Sequence, residues 1–136
     1  MEVITSALAA QTIRKLIVDK EREELWCFAV GPSCKVISSE MIFCGTVDAC
    51  FVHPRDIFRF AIKNNASGII IGHNHPSQEC TPSIADLNLT NNLRKAGDLL
   101  QIPLLDHVIV TENQFFSFAD RYWKKSAFFR RRSLVL

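Results

Sequence analysis

The chain has 136 residues, 48% of them hydrophobic and 22% charged, with 10 Phe. One domain of this size buries well over half of its unfolded surface and leaves little room for a second. Five Gly and five Pro exclude a collagen-like or low-complexity chain, and no apolar run approaches the roughly 20 residues of a bilayer span.

The cysteines, Cys27, Cys34, Cys44, Cys50 and Cys80, are odd in number and form no C-x-x-C pair. They read as reduced thiols, which with the lack of a basic stretch before the apolar residues near Leu8 points to a cytoplasmic protein without a signal peptide. The net charge of +2 is uneven. Up to Asp120 there are 10 basic and 14 acidic residues, whereas the last 16 residues carry six basic ones and no acid. That tail reads first as a solvated, solubilising segment, and second as a weak nucleic-acid contact.

In chain order, about Val3 to Val18 predicts a helix, with Ile4, Leu8, Ile13, Leu16 and Ile17 on one side. After the charged run from Asp19 to Glu24, Leu25 to Val30 reads as a buried strand and Lys35 to Phe43 as its hairpin partner across Gly31-Pro32-Ser33. Pro54 opens a helix that Asn64-Asn65 closes. The three isoleucines of Ser67 to Gly72 call for burial on both faces and predict a central strand ending at His73-Asn74-His75-Pro76. A third helix is expected from about Ser83 to Leu99, with Leu87, Leu93, Ala96 and Leu100 inward. Strands follow over Leu104 to Val110 and Gln114 to Phe118. Interleaved strands and helices of this kind make an α/β domain with a mixed central β-sheet flanked by helices.

His73 and His75 lie two apart at a strand end, so both imidazoles project to one side, where they can converge on one metal ion. Ser83 and Asp86, three apart on the first turn of the following helix, share a face. Two imidazoles and the Asp86 carboxylate leave the fourth position of one tetrahedral Zn2+ open for water, the pattern of a catalytic rather than a structural site. The same Ser-x-x-Asp also reads as a capping box that starts the helix without any metal. On these residues alone both readings stand. They are compatible for Ser83 but compete for the single carboxylate of Asp86.

The joint string, His73-x-His75, seven residues, then Ser83-x-x-Asp86, resembles the JAMM motif of the MPN+ (JAB) metalloproteases. The stretches from Gly45 to Arg55, His73 to Ser77, Thr81 to Ser83, Leu105-Asp106-His107 and Phe116 to Phe118 resemble its RadC branch, so that the resemblance covers about residues 22–123. It implies a single MPN (JAB-like, cytidine-deaminase-like) domain over residues 1–123 with a basic tail at 124–136. It further implies zinc bound by His73, His75 and Asp86, and Ser83 steadying a tetrahedral intermediate. A glutamate before the first core strand would act as general base, which points to Glu23, with Glu24 as close rival and Glu40 having less claim. Asn74 between the histidines differs from many eukaryotic members but matches the RadC branch, Gln78 stands where that branch usually has glycine, and Cys80 is a soft-ligand alternative.

The expected function is therefore zinc-dependent hydrolysis of a peptide or isopeptide bond in a peptide or protein substrate. A non-catalytic MPN scaffold and a DNA-repair-associated accessory protein are the alternatives. A scaffold does not need all four motif residues, and the DNA-contacting helix-hairpin-helix region of longer RadC proteins finds no counterpart here. His53, before Pro54, reads as a structural contact. Of Asp106 and His107, one is expected to face inward, and no spacing assigns either a role at the site.

Overall fold

A computed structural model describes residues 4–45 and 52–123; residues 1–3, the segment 46–51 with Cys50, and the basic tail 124–136 lie outside the described residues. Helix α1 (Ser6–Leu16) precedes the hairpin of β1 (Glu23–Val30) and β2 (Val36–Gly45). It is followed by α2 (Pro54–Lys63), β3 (Gly68–Asn74), α3 (Ile84–Leu100), β4 (Leu104–Val110), β5 (Phe115–Ser117) and the short α4 (Phe118–Tyr122). The strands form one sheet in the order β2-β1-β3-β4-β5. Among the described strands only β3 and β4 pair in parallel, as the crossover through α3 requires, so the sheet is mixed. Among the described residues no helix is long and apolar enough to cross a membrane.

Both faces of the sheet are covered. Leu25, Cys27, Ala29, Ile69 and Ile71 face α2 and α3, packing on Ile57, Phe58, Ala61, Leu89 and Leu93. Phe28, Val30, Ile70 and Val108 face α1, packing on Ala9, Ala10 and Ile13. Alternate residues of β1 and β3 thus point to opposite helical layers, and this two-residue period decides which side chains reach the site. Helix α1 lies so close over β3 that a Cβ at Gly72 would overlap the Ile13 side chain. At the other end of the domain a Cβ at Gly97 would stand 2.6 Å from the Ile102 carbonyl, so the turn out of α3 needs glycine for close approach.

The predicted succession of elements is the observed one, with three corrections. Strand β3 runs on through His73 and Asn74, because β4 keeps pairing with both. The inward face of α3 is Asp86, Leu89, Thr90, Leu93 and Gly97, while Leu87 and Leu100 are exposed. Finally, the last strand stops at Ser117, whose hydroxyl accepts from the Asp120 N–H and starts α4.

Candidate metal centre

His73 is the last residue of β3 on the face shared with Ile69 and Ile71. Its antiparallel partner on β1 is Leu25, so Glu23, two residues further on the same face, arrives beside it. The capped end of α3 brings Asp86 in from above. His73 Nε2 stands 3.3 Å from Glu23 Oε1, 3.2 Å from Asp86 Oδ1 and 2.9 Å from His75 Nε2, and His75 Nε2 is 3.1 Å from Asp86 Oδ2. One ligand atom from each of the four residues lies within 4.8 Å of every other. Glu23, His73 and Asp86 are buried and His75 is partly so.

Hydrogen bonding tests whether this cluster suits a cation. His75 Nδ1 is 2.6 Å from the Glu79 carbonyl, which can only accept, so the ring proton sits on Nδ1 and the neutral ring aims a lone pair from Nε2 into the cluster. That lone pair faces a second imidazole nitrogen and two carboxylates. Four acceptors converge at 2.9–3.3 Å, an arrangement that extra protons or a metal ion stabilises. The two-imidazole, carboxylate donor set suits zinc and its neighbours in the first transition row.

The titration of each group follows from this crowding. Burial raises the Glu23 pKa, more than the neighbouring histidines lower it, and Asp86 adds to the rise. Burial also works against the Asp86 carboxylate and lowers the His75 pKa, but the bonds between them reverse both effects. When a second proton sits on either ring, Nε2 of His73 or His75 donates to Asp86 and holds its carboxyl well below the usual carboxylate range. His75 is raised by Asp86, by the Glu79 carbonyl and by the charge of Glu23.

The competition expected between capping and the site at Asp86 does not arise. The Ser83 N–H donates to Asp86 Oδ2 at 2.8 Å, and the Asp86 N–H donates to Ser83 Oγ at 3.1 Å, which completes a capping box. The same carboxylate turns both oxygens toward the histidines, each oxygen having lone pairs enough for two partners. Ser83 Oγ serves the cap as an acceptor, and its own proton remains free to donate.

Glu24 points to the opposite face of the sheet, where its carboxylate accepts from the Val18 and Asp19 N–H groups and from Trp26 Nε1. It braces the exit of α1 and stands outside the cluster, as do exposed Glu40 and His53, the latter the N-cap residue of α2. Cys80 Sγ donates toward Gln114 Oε1. Cys27, Cys34, Cys44 and Cys80 are free thiols, and burial pushes the Cys27 thiol up.

Three further residues bear on the site. Asn74 Oδ1 accepts from the Glu24 N–H at 2.8 Å and its Nδ2 donates to the Arg22 carbonyl at 2.9 Å, so its amide grips the backbone on either side of Glu23. His107 is fully buried, with Nε2 at 2.8 Å from His73 Nδ1 and Nδ1 at 2.6 Å from Thr90 Oγ1. Burial and the neighbouring His73 lower its pKa. Asp106 is also buried, so both residues of the Asp106-His107 pair face inward. The Asp106 carboxylate accepts from Ser117 Oγ, the Ala119 N–H and the His107 N–H.

A cavity of about 200 Å³ opens on the cluster, lined by Glu23, His75, Pro76, Ser83, Ala85 and Asp86 among others. A larger one of about 370 Å³ lies across His75, bordered by Arg14, Lys20, Asn74 and Gln78.

A family model described as the RadC-like JAB domain matches residues 3–123. Similar proteins include a UPF0758 protein of Chlorobaculum tepidum, 48% identical over 104 residues, 76% of this chain and 47% of the relative. Others are UPF0758 proteins of Clostridium perfringens, 42% identical over 113 residues (80% and 50%), and of Thermotoga maritima, 40% identical over 119 residues (88% and 54%). The chain thus spans about half the length of the curated relatives it matches. With a mixed five-stranded sheet between helical layers and a Glu-His-His-Asp cluster at the end of its central strand, the chain belongs to the family of RadC-like JAB domains.

Proposed function

We propose that this domain is a zinc-dependent hydrolase of peptide or isopeptide bonds, with His73, His75 and Asp86 as the metal ligands. The observation that carries the proposal is the convergence of these three side chains with Glu23 beside an open groove. When bound, the ion supplies Lewis acidity, polarising the amide carbonyl and making water nucleophilic near neutral pH.

The protein's own groups do the rest. Glu23 lines the groove, and its burial strengthens its hold on a proton. Its carboxylate accepts the proton of the attacking water and returns it to the departing amine. Ser83, on the same wall, donates its uncommitted hydroxyl proton to the oxygen on which negative charge grows. The Glu79 carbonyl holds His75 to its role through Nδ1.

Metal analysis of the purified protein beside His75→Ala and Asp86→Ala tests the ligand set. Stoichiometric zinc is expected in the wild type and little in either variant. Zinc retained by both variants would remove the assignment. Glu23→Gln is expected to keep the metal and lose turnover by about 10²–10⁴-fold on any peptide or isopeptide substrate that the wild type cleaves. Full turnover in that variant would place the base elsewhere.

A further inference from the structure

The second nitrogen of His73 leads into a chain of buried hydrogen bonds whose direction can be worked out by proton counting. Thr90 lies one turn after Asp86 on α3, and its Oγ1 is 2.8 Å from the Asp86 carbonyl oxygen. A carbonyl has no proton to give, so the hydroxyl donates there and must accept from its other partner. That partner is His107 Nδ1, at 2.6 Å. His107 therefore carries its proton on Nδ1, and as a neutral ring presents a lone pair at Nε2. His73 Nδ1 stands 2.8 Å from that lone pair and so supplies the proton. His73 Nε2 is then bare, and it is this nitrogen that faces Glu23, Asp86 and His75.

We infer that Thr90 and His107 are positioning residues that lock His73 in the Nδ1–H tautomer, with its lone pair aimed at the metal position. The relay starts at the backbone of one proposed ligand, Asp86, and ends at the ring of another, His73, so it ties α3 to β3 through β4. The His107 ring is held in plane by Phe118, stacked on it with centroids 4.6 Å apart and planes 7° from parallel. Neither Thr90 nor His107 touches the groove, and the consequence for metal binding rests on the ligand set proposed above.

Thr90→Val removes the acceptor at nearly constant volume. His107 Nδ1–H then loses its partner, and the ring is free to take the other tautomer and donate from Nε2. That would force the proton of His73 onto its metal-facing nitrogen. Zinc affinity, measured on the full chain by competition with a chromophoric chelator, is expected to fall by about 10–100-fold in Thr90→Val, the usual effect of losing an outer-shell partner. Thr90→Ser, which keeps the hydroxyl, is expected to restore it. Equal affinity in Thr90→Val and wild type would overturn the inference.

Long-range 15N–1H NMR of the metal-free wild type reads the relay without any metal, and without relying on the variant to fold. His73 and His107 are both expected to carry a proton on Nδ1. A His73 with no proton on Nδ1 would overturn the inference. A wild type that binds no zinc would defeat the metal reading alone, and the tautomers would still decide the relay.

Discussion

At the scale of single residues, Asn74 has the most specific structural part. The ladder between β1 and β3 has its last pair at Leu25 and His73. Beyond that point the Asn74 side chain continues the pairing, with one bond to the carbonyl before Glu23 and one to the N–H after it. Asn74→Ala leaves both backbone groups without this partner, and at about 1 kcal/mol per lost bond it is expected to destabilise the protein by ~2 kcal/mol. The more telling effect is on turnover, which is expected to fall while stoichiometric zinc is kept, because Glu23 loses its fixed position and the three proposed ligands do not. Denaturant midpoints, metal content and kcat of the variant separate these outcomes, and unchanged kcat would show that Glu23 needs no such clamp. In the sequence Asn74 is legible only as a residue of the RadC-type motif and not as a clamp, since its partners lie 50 and 52 positions away.

The elements were largely legible, and the exceptions have physical causes. Apolar periodicity finds α3 but misassigns its inward face, because Asp86, Thr90 and Gly97 are buried there and a hydrophobic count passes over all three. Helix α4 has five residues, too few to show a period, and is started by Ser117. The strand period was the stronger guide. Alternation along β1 sends Glu23 and Glu24 to opposite faces, although nothing in the Glu21-Arg22-Glu23-Glu24 run distinguishes them without the register against β3.

The junction of β4, β5 and α4 also carries a pH-dependent contribution. Asp106 accepts three hydrogen bonds there, yet its burial outweighs them and, with help from the charge of Asp120, pushes its pKa up to about 6 from 3.8. Between those values the folded protein binds more protons at this site than the unfolded chain, so this contribution to stability falls as pH rises from about 4 to above 6. Asp106→Asn cannot ionise, and the Ser117 hydroxyl can turn to suit the new amide. Over that range the melting temperature of the variant is expected to gain on that of the wild type as pH rises. A constant difference between the two melting curves would show that Asp106 titrates normally.

For the molecule as a whole, the candidate metal centre draws its groups from β1, β3 and the start of α3, with support from β4. Convergent acceptors repel each other until a cation or protons join them, so a bound ion is expected to stabilise the fold as a ligand of the native state. Zinc at 100 times its Kd should add about 2.7 kcal/mol, removable by a chelator. Asp86→Ala should show no such response. A wild type whose unfolding midpoint ignores both zinc and chelator would count against a native-state metal site. The family and three of the four convergent residues, His73, His75 and Asp86, were within reach of the sequence because their motif is compact in chain position, whereas Glu23 stands 50 positions before His73 and shared its claim with Glu24. The His73–His107 contact was out of reach, since it depends on the parallel register that sets His107 beside Ile71.

That parallel register has a kinetic consequence. A parallel pair joined through a whole helix is a non-local contact, and loop closure delays such contacts relative to the β1–β2 hairpin. Asp86 and His107 therefore reach His73 only after the crossover through α3 has docked. Zinc should meet a finished site late in folding and act mainly on the return path. In stopped-flow experiments, added zinc is expected to slow unfolding while leaving the refolding rate nearly unchanged. The ion would then serve as a latch on a structure already built, not as a seed around which the chain collects.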